Sequence, residues 1–291
     1  MEKLTEIARR SARRDVGDFG MDASFEEAFI VPLVQMGVQD FRLNEMPELT
    51  GDSAVLAGSK RILDVGCGTA PLVYTALGGG HDAYGIDNDF EKIEIAHHKV
   101  RAYGLPADWT TRAILGDATR LDFTDEFFDI VTSYQVLEHI PDLSAALFES
   151  VRVTKRGGWI VFRAPDYRMS FEPHYRMPWP QFAPRQLAER WVMAMDRPPG
   201  GIGTFFYITL PQVAAILVSL GCELRVARLD WARQTGGYQP LEGPIGHERM
   251  LIKNDDDIKN WAHAIKEKTK AGTLDPVYTT ELNMVLAARR V

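Results

Sequence analysis

The stretch Arg61-Ile-Leu-Asp-Val-Gly-Cys-Gly-Thr-Ala-Pro-Leu72 decides the fold of this chain. Its apolar run, residues 62–65, ends at Gly66 and Gly68, and helix-forming residues follow Pro71. This pattern predicts a buried parallel strand that enters a tight turn and then a helix. Glycine suits such a turn because the backbone must bend sharply and approach a ligand with no Cβ atom in the way. Two glycines alone are weak evidence for a ligand, so the downstream residues must decide what the turn holds.

Strand and helix patterns alternate along the chain from residue 60 onward. This alternation predicts an α/β fold, a doubly wound and mostly parallel Rossmann-like sheet of seven strands with helices on both faces. The predicted helices cover residues 71–77, 89–103, 143–153, 205–220 and 258–268. The predicted strands cover residues 62–65, 82–86, 110–115, 127–133, 158–163, 222–229 and 282–288.

We predict one α/β domain over residues 59–291, preceded by a helical extension over residues 1–58. The extension has an apolar stripe between residues 25 and 36 and either packs on the domain or acts as a lid over its site. Two stretches interrupt the alternation, and we interpret them as insertions after the fifth and sixth strands. Residues 165–204 are rich in proline and aromatic side chains, whereas residues 231–280 are polar.

The composition limits the partners and the compartment of the protein. The chain has 291 residues and a net charge of −7, which argues against a general affinity for nucleic acid or anionic membranes. Cys67 and Cys222 are too few for a disulfide framework, and we expect both to be buried thiols. The sequence has neither a run long enough to span a membrane nor a signal-peptide pattern, so we expect a cytoplasmic protein.

The predicted strands end in residues that suit a nucleoside-like ligand, which in a doubly wound sheet binds beyond the carboxyl ends of the strands. Asp87 and Asn88 follow the second strand, about 20 residues after the glycines, where a carboxylate can accept hydrogen bonds from ribose hydroxyls. Asp117 and Ala118 follow the third strand, where a carboxylate can accept from the amine of adenine. The fourth strand ends in S133-Y-Q-V-L-E-H139. A single aspartate at a strand end is more often a helix cap or turn former, so the evidence lies in the ordered set.

This ordered set resembles the class I S-adenosylmethionine-dependent methyltransferases, especially the small-molecule group that includes ubiquinone-biosynthesis enzymes. The resemblance extends over residues 60–164 and implies the fold and the cofactor, S-adenosylmethionine, but not the acceptor. The segments that carry it are I62-L-D-V-G-C-G-T-A70, Y84-G-I-D87, L115-G-D-A118, F128-D-I-V-T-S-Y-Q-V-L-E-H-I140 and R156-G-G-W-I-V161.

The resemblance also implies roles for individual residues of the cofactor site. The chain departs from the family pattern at Ala70, where a third glycine is usual, and we expect at most a small shift of the turn. By resemblance, Asp64 and the turn Gly66-Cys67-Gly68 would line the methionine part of the cofactor. Asp87 with Asn88 would hold the ribose, and Asp117 with Ala118 would meet the adenine. Ser133 and Tyr134 would lie near the sulfonium and the amino-acid end.

The candidate catalytic residues are His139 and three residues of the insertion after the fifth strand, Glu172, His174 and Tyr175. This insertion begins at a strand end on the ligand side, so it should overhang the methyl group of the cofactor. A histidine or glutamate there could accept a proton from a hydroxyl as the methyl group transfers. The alternative is that the insertion only packs its aromatic side chains and that His139 is structural. His247 and Arg249 are further, weaker candidates for the lining of the site.

Methyl transfer from a sulfonium depends mainly on the alignment of nucleophile, methyl group and sulfur. No cluster of histidines and cysteines has metal-ligand spacing, so we expect no metal. The sequence therefore predicts a methyltransferase that acts on a small molecule, with oxygen as the favoured acceptor atom and a secondary metabolite or a sugar as the acceptor type. The oligomeric state is not predicted.

Three alternatives remain from the sequence. The first is an enzyme of the same fold in which the cofactor's own aminobutyl chain reacts, for example by ring closure. The second is a protein or nucleic-acid methyltransferase, which the acidic charge and the missing N-P-P-Y/F motif after the fourth strand disfavour for base methylation. The third is a non-catalytic binding protein that has kept the fold.

Overall fold

The computed structural model describes residues 1–20, 30–31, 33–34, 41–232, 238–240, 250, 252–275, 278 and 281–291. The candidates His247 and Arg249, and most of the apolar stripe between residues 25 and 36, lie outside these residues. No helix in the described part of the chain combines the length and the apolar character needed to cross a bilayer.

The described elements follow the predicted alternation of strands and helices. Short 3₁₀ helices cover Ala107–Thr111, Leu137–His139 and Gly200–Thr204. The α-helices are α1 (Glu2–Phe19), α2 (Phe41–Thr50), α3 (Pro71–Gly78), α4 (Phe90–Ala102), α5 (Leu143–Val153), α6 (Arg185–Ala194), α7 (Leu210–Ser219) and α8 (Asp255–Lys270). The strands are β1 (Arg61–Val65), β2 (Asp82–Asp87), β3 (Ala113–Leu115), β4 (Phe128–Tyr134), β5 (Thr154–Pro165), β6 (Phe171–Glu172), β7 (Met177–Pro178), β8 (Cys222–Ala232), β9 (Tyr238–Pro240) and β10 (Leu282–Arg290).

The main sheet has the order β3-β2-β1-β4-β5-β10-β8-β9. The first five strands are parallel, and β10 enters antiparallel between β5 and β8. The predicted doubly wound, mostly parallel α/β fold is therefore confirmed. The three-residue strand β9 adds an eighth member at the edge of the seven predicted strands. The chain turns from one side of the sheet to the other between β1 and β4, and this switch point is where such sheets bind ligands.

Two predicted elements are shorter in the structure, because local hydrogen bonds end them. The strand predicted over residues 110–115 is reduced to β3, since the hydroxyls of Thr110 and Thr111 bond to the carbonyls of Ala107 and Asp108 and form a 3₁₀ turn. The helix predicted over residues 205–220 begins at Leu210, since the Thr209 hydroxyl accepts the backbone N–H of Gln212 as a cap.

The N-terminal extension packs on one face of the sheet and on helix α4, which covers that face. Helix α1 buries Leu4, Ile7 and Ala8 in a cluster that includes Ile95 of α4. Helix α2 packs on the same face, where Met46 shares an apolar cluster with Ile93 of α4 and Leu49 contacts the buried side chains of β5 and β10. Both helices thus cover apolar surface of the sheet and its helices, which stabilises the fold in proportion to the area removed from water.

Gly66 is the position at which the turn after β1 requires glycine. Its φ is +73°, and a Cβ atom there would lie 2.2 Å from Cγ2 of Val136 in the loop after β4. Gly68 also has a positive φ, +54°, but a Cβ atom there would have no neighbour within 4 Å. The N–H groups of Gly66 and Cys67 both donate to the carbonyl of Ile86 at 2.8 Å, which fixes the turn against β2.

We expect Gly66→Ala to destabilise the protein more than Gly68→Ala. Both variants incur the left-handed strain of about 1–2 kcal/mol, and only Gly66→Ala adds an overpacking term of about 1–3 kcal/mol against Val136. Denaturant unfolding without ligand measures the two free energies of unfolding. Equal losses for the two variants would contradict the close contact with Val136.

Lys99 of α4 is a charged residue with no exposed surface. Its Nζ atom donates a hydrogen bond of 2.8 Å to Oγ1 of Thr69 in the turn after β1. Burial lowers the pKa of Lys99 from 10.5 to about 8, because the ammonium group loses its hydration. The unfolded chain therefore binds this proton more tightly than the folded protein does, and the folded state becomes more stable as the pH rises from 8 to 10.5.

The variant Lys99→Met tests this penalty. Relative to the variant, we expect the free energy of unfolding of the wild type to increase by roughly 3 kcal/mol between a pH below 8 and a pH near 10.5. Denaturant titrations of both proteins at the two pH values measure the difference. A pH dependence that is the same in both proteins would show that Lys99 keeps its ordinary pKa.

Candidate functional site

A cleft of about 560 Å³, here called the first cleft, lies beyond the carboxyl ends of β1, β2 and β3. One wall carries Gly66 together with the predicted ligand residues Asp87, Asn88, Asp117 and Ala118. The opposite wall is the loop that follows β4, with Val136, His139 and Ile140. The structure therefore brings the carboxyl ends of the first four predicted strands together beside the switch point.

Asp87 fixes the turn and still faces the first cleft. One carboxylate oxygen accepts the N–H of Gly68 at 2.8 Å, and the other accepts the N–H of Asp89 at 2.9 Å. A carboxylate has about four acceptor positions, so two remain for the hydroxyls of a ligand. The arrangement suits a ribose with two neighbouring hydroxyl groups.

Asp117 is an exposed carboxylate held in place by Thr119. It accepts both the backbone N–H and the hydroxyl of Thr119 at 2.8 Å. These hydrogen bonds lower the pKa of Asp117, so the group is ionised at neutral pH. Ile86 and Ile140 supply apolar surface to the same cleft. An apolar cleft with an acceptor at its edge suits a flat ring that carries an amine.

Five residues predicted for the cofactor site do not line the first cleft. Asp64 is fully buried and pairs with Arg42, whose Nη1 lies 3.2 Å from both carboxylate oxygens. The backbone of Gly68 donates to Asp87, as described above. The other three have protein contacts of their own: Cys67 packs against Gly85, the Ser133 hydroxyl donates to the Val65 carbonyl at 2.9 Å, and the Tyr134 ring lies 5.6 Å from the guanidinium carbon of Arg42. Their assignment to the cofactor remains a prediction.

A second cleft, of about 470 Å³, adjoins the first, and His139 lines both. The insertion after β5 contributes Pro173, His174 and Arg176 to this second cleft. Helix α1 contributes Arg14, Asp18 and Phe19 from the other side. The predicted insertion thus does lie next to the predicted ligand site, and the N-terminal extension helps to enclose it.

The four candidate catalytic residues form one hydrogen-bonded chain. Nε2 of His139 lies 3.1 Å from Nε2 of His174, and Nδ1 of His174 lies 2.6 Å from Oε1 of Glu172. Glu172 is fully buried and also accepts the N–H of Tyr175 at 2.6 Å. The Tyr175 hydroxyl donates to the Pro198 carbonyl at 2.9 Å. Of the four, only the two histidines line the second cleft.

The two imidazoles differ in their pKa values. Burial and the nearby charge of His174 together lower the pKa of His139 to about 4. Burial also disfavours the charged form of His174, but the charge and hydrogen bond of Glu172 raise its pKa to about 8. The proton shared by the pair therefore belongs to His174.

Glu138 is a site residue that the sequence analysis missed. Its side chain is fully buried, and neither carboxylate oxygen has a hydrogen-bond partner among the described residues. Burial raises its pKa to about 7. Oε1 lies 3.8 Å from Nε2 of His139, and the residue lines the second cleft. The only feature of the sequence that could have indicated Glu138 as a site residue was its position directly before His139.

Comparison with known proteins agrees with this geometry. Residues 63–162 match the family model described as a methyltransferase domain. This match agrees with the resemblance of this segment to the class I S-adenosylmethionine-dependent methyltransferases. The predicted family is confirmed for this segment, and S-adenosylmethionine is the methyl donor of the family.

The curated relatives share the same region of the chain. A demethylmenaquinone methyltransferase of Geobacillus kaustophilus is 39% identical over 105 residues, which is 35% of this chain and 44% of the relative. A ubiquinone biosynthesis O-methyltransferase of Nitrosomonas europaea is 28% identical over 125 residues, or 43% of this chain and 50% of the relative. The chain thus spans about half the length of these relatives.

A solved structure agrees in fold alone. A phosphoethanolamine N-methyltransferase 2 of Haemonchus contortus, in complex with phosphomonomethylethanolamine and S-adenosylhomocysteine, superposes with a TM-score of 0.52 at 15% identity. The match covers 86% of this chain and 52% of that one. At this identity the likeness supports the α/β architecture and carries no information on the acceptor.

We expect Asp87→Ala to weaken the binding of S-adenosylhomocysteine by about 10- to 150-fold, since hydrogen bonds to a charged group contribute about 1.5–3 kcal/mol. Isothermal titration calorimetry measures the affinity, with the exposed Asp108→Ala as the matched control. Melting temperatures of both variants separate a loss of binding from a loss of folding. An unchanged affinity in folded Asp87→Ala would remove the ribose assignment.

Proposed function

We propose that this protein transfers the methyl group of S-adenosylmethionine to an oxygen atom of a small molecule. The observation that carries the proposal is the meeting of two clefts at His139. The first cleft has the acceptors and apolar walls that suit an adenosine group, and the second cleft has two imidazoles in its lining. A cofactor bound in the first cleft would extend along Gly66 toward this junction, where an acceptor from the second cleft could meet its methyl group.

The size and enclosure of the second cleft support a small acceptor. Its volume of about 470 Å³ is typical of small-molecule sites. Helix α1 and the insertion after β5 both contribute to its lining. The lining contains the cationic side chains of Arg14, Lys92 and Arg176 and the carboxylates of Asp18 and Glu281. This mixed lining suits a polar acceptor with several hydroxyl groups.

The orientation of His139 supports oxygen as the acceptor atom. Nδ1 of His139 lies 2.5 Å from the carbonyl oxygen of Thr204, which only accepts hydrogen bonds. The ring hydrogen is therefore on Nδ1, and the lone pair of Nε2 points to Nε2 of His174 at 3.1 Å, at the junction of the clefts. A hydroxyl must lose its proton as it takes the methyl group, and the paired imidazoles lie where that proton is lost. One relative is named an O-methyltransferase, which agrees with this choice.

Turnover with labelled S-adenosylmethionine and a panel of hydroxylated aromatic compounds and sugars tests the proposal. We expect S-adenosylhomocysteine to form only when an acceptor is present. His139→Ala should lower kcat by about 100-fold or more, as is typical when proton transfer is lost, while the affinity for S-adenosylhomocysteine changes little. His98→Ala, which replaces a half-buried histidine of α4 that lines neither cleft, is the matched control.

The same assay distinguishes the alternative reaction of the aminobutyl chain. Release of methylthioadenosine from cofactor and protein alone, without any acceptor, would contradict methyl transfer and support ring closure. Methylation of a nucleic acid or a protein in place of every small molecule would contradict the acceptor class.

A further inference from the structure

The side chains of Glu138, His139 and His174 lie around one point in the lining of the second cleft, and all three can bind a metal ion. One ligand atom from each residue lies within 4.8 Å of the other two. The two Nε2 atoms are 3.1 Å apart. Two nitrogen ligands at right angles on an ion with bonds of about 2.1 Å would be about 3.0 Å apart, so the imidazoles already have suitable spacing.

Both imidazoles are oriented by acceptors at Nδ1, so that the Nε2 atoms of the two rings point at each other. The Thr204 carbonyl oxygen takes the Nδ1 hydrogen of His139, and the Glu172 carboxylate takes the Nδ1 hydrogen of His174. When both rings are neutral, their Nε2 lone pairs therefore point at each other, which is repulsive without a proton or a cation between them. A carboxylate or a carbonyl behind each histidine is the usual outer support of a metal-bound imidazole.

Glu138 supplies an independent observation that a ligand belongs here. The side chain has no exposed surface, and its two oxygens have no hydrogen-bond partner in the described part of the chain. A buried carboxylate without partners is unfavourable by about 1–3 kcal/mol or more, so a native protein should provide a compensating group. A cation bound between Glu138 and the imidazoles would provide it.

We propose that Glu138, His139 and His174 bind one divalent transition-metal ion, such as Zn²⁺, Fe²⁺ or Co²⁺. Two imidazoles and one carboxylate are a ligand set that these ions accept while they keep open positions. The open positions face the second cleft, because all three residues line it. Glu138 and His139 are adjacent in the sequence, and His174 follows 35 positions after His139. This spacing along the chain does not by itself indicate a metal site, because the insertion after β5 must fold back to bring His174 to the other two residues.

The ion gives the acceptor a defined place, and this part rests on the proposed function. With Nε2 of each ring on the ion, the imidazoles would act as its ligands in place of accepting the proton. An acceptor hydroxyl bound to the ion would then lose its proton to water, because a divalent ion stabilises the oxyanion. The oxygen would then form a bond to the methyl carbon while the carbon–sulfur bond breaks and the electron pair returns to sulfur. The products are the methyl ether and S-adenosylhomocysteine.

Titration of the chelator-treated full chain with Zn²⁺ and Co²⁺, without cofactor or acceptor, tests the binding. We expect one ion per chain with micromolar or tighter affinity. Glu138→Gln and His174→Gln should each weaken binding by about 10- to 100-fold or more. His263→Gln, exposed on α8, is the matched control and should bind like the wild type. The absence of binding, or equal binding in all four proteins, would overturn the proposed metal site. The close approach of the two imidazoles would then be explained by a proton shared between them.

X-ray absorption of the wild-type zinc complex gives a second measurement that needs no variant. Two imidazoles and oxygen ligands are expected, and sulfur ligands would contradict the site. Because the titrations contain no cofactor, they test the metal site even if the protein proves not to transfer a methyl group. Conversely, methyl transfer that continues unchanged after complete removal of the metal would overturn the role of the ion and leave the proposed function intact.

Discussion

The contact between Val136 and the bare backbone of Gly66 is the constraint on which the site depends. Val136 occupies the space that a Cβ atom on residue 66 would fill, so the loop after β4 lies directly on the turn after β1. The Ile86 carbonyl holds the same turn against β2 through two backbone hydrogen bonds. Three neighbouring strands are thereby joined at their carboxyl ends. Asp87 faces one side of the junction, and His139 follows three residues after Val136.

This junction explains how the fold can hold the proposed cofactor site and the proposed acceptor site in two separate but adjoining clefts. The residues of the first cleft come from the regular strand ends, where backbone geometry varies little. The second cleft is formed by segments that lie outside the regular alternation, namely α1 and the insertion after β5. His139 belongs to both, since it ends the short helical turn Leu137–His139 between them. Variation in the outer segments can change the acceptor without disturbing the nucleoside side.

The sequence predicted those features that depend on local pattern. Apolar runs with glycine ends identified the strands, and the order of Asp87 and Asp117 along the chain identified the ligand side of the sheet. Each of these inferences needs only the rule that parallel strands end at the same edge. The predicted lengths of β3 and α7 were wrong, because the ends of these elements depend on hydrogen bonds of individual hydroxyl groups. A hydrophobic pattern does not reveal such bonds.

The remaining features depend on contacts between distant segments. Arg42 pairs with Asp64 across 22 residues, and no periodic signal links them. His174 reaches His139 across 35 residues because the insertion folds back over the sheet. Glu138 looked like a member of a family motif, and only burial without a partner marks it as a site residue. Such features can be recognised only in the folded structure, since they depend on contacts between distant segments or, for Glu138, on a missing hydrogen-bond partner.

The structure of the protein in complex with S-adenosylhomocysteine is the most direct measurement of the central claim, that a cofactor in the first cleft presents its methyl group to an acceptor beside the histidine pair. The account predicts ribose hydroxyls hydrogen-bonded to Asp87, the adenine beside Asp117, and the sulfur atom directed into the second cleft toward His139 and His174. A complex in which the sulfur atom points away from the second cleft, or in which the ligand avoids Asp87, would contradict it.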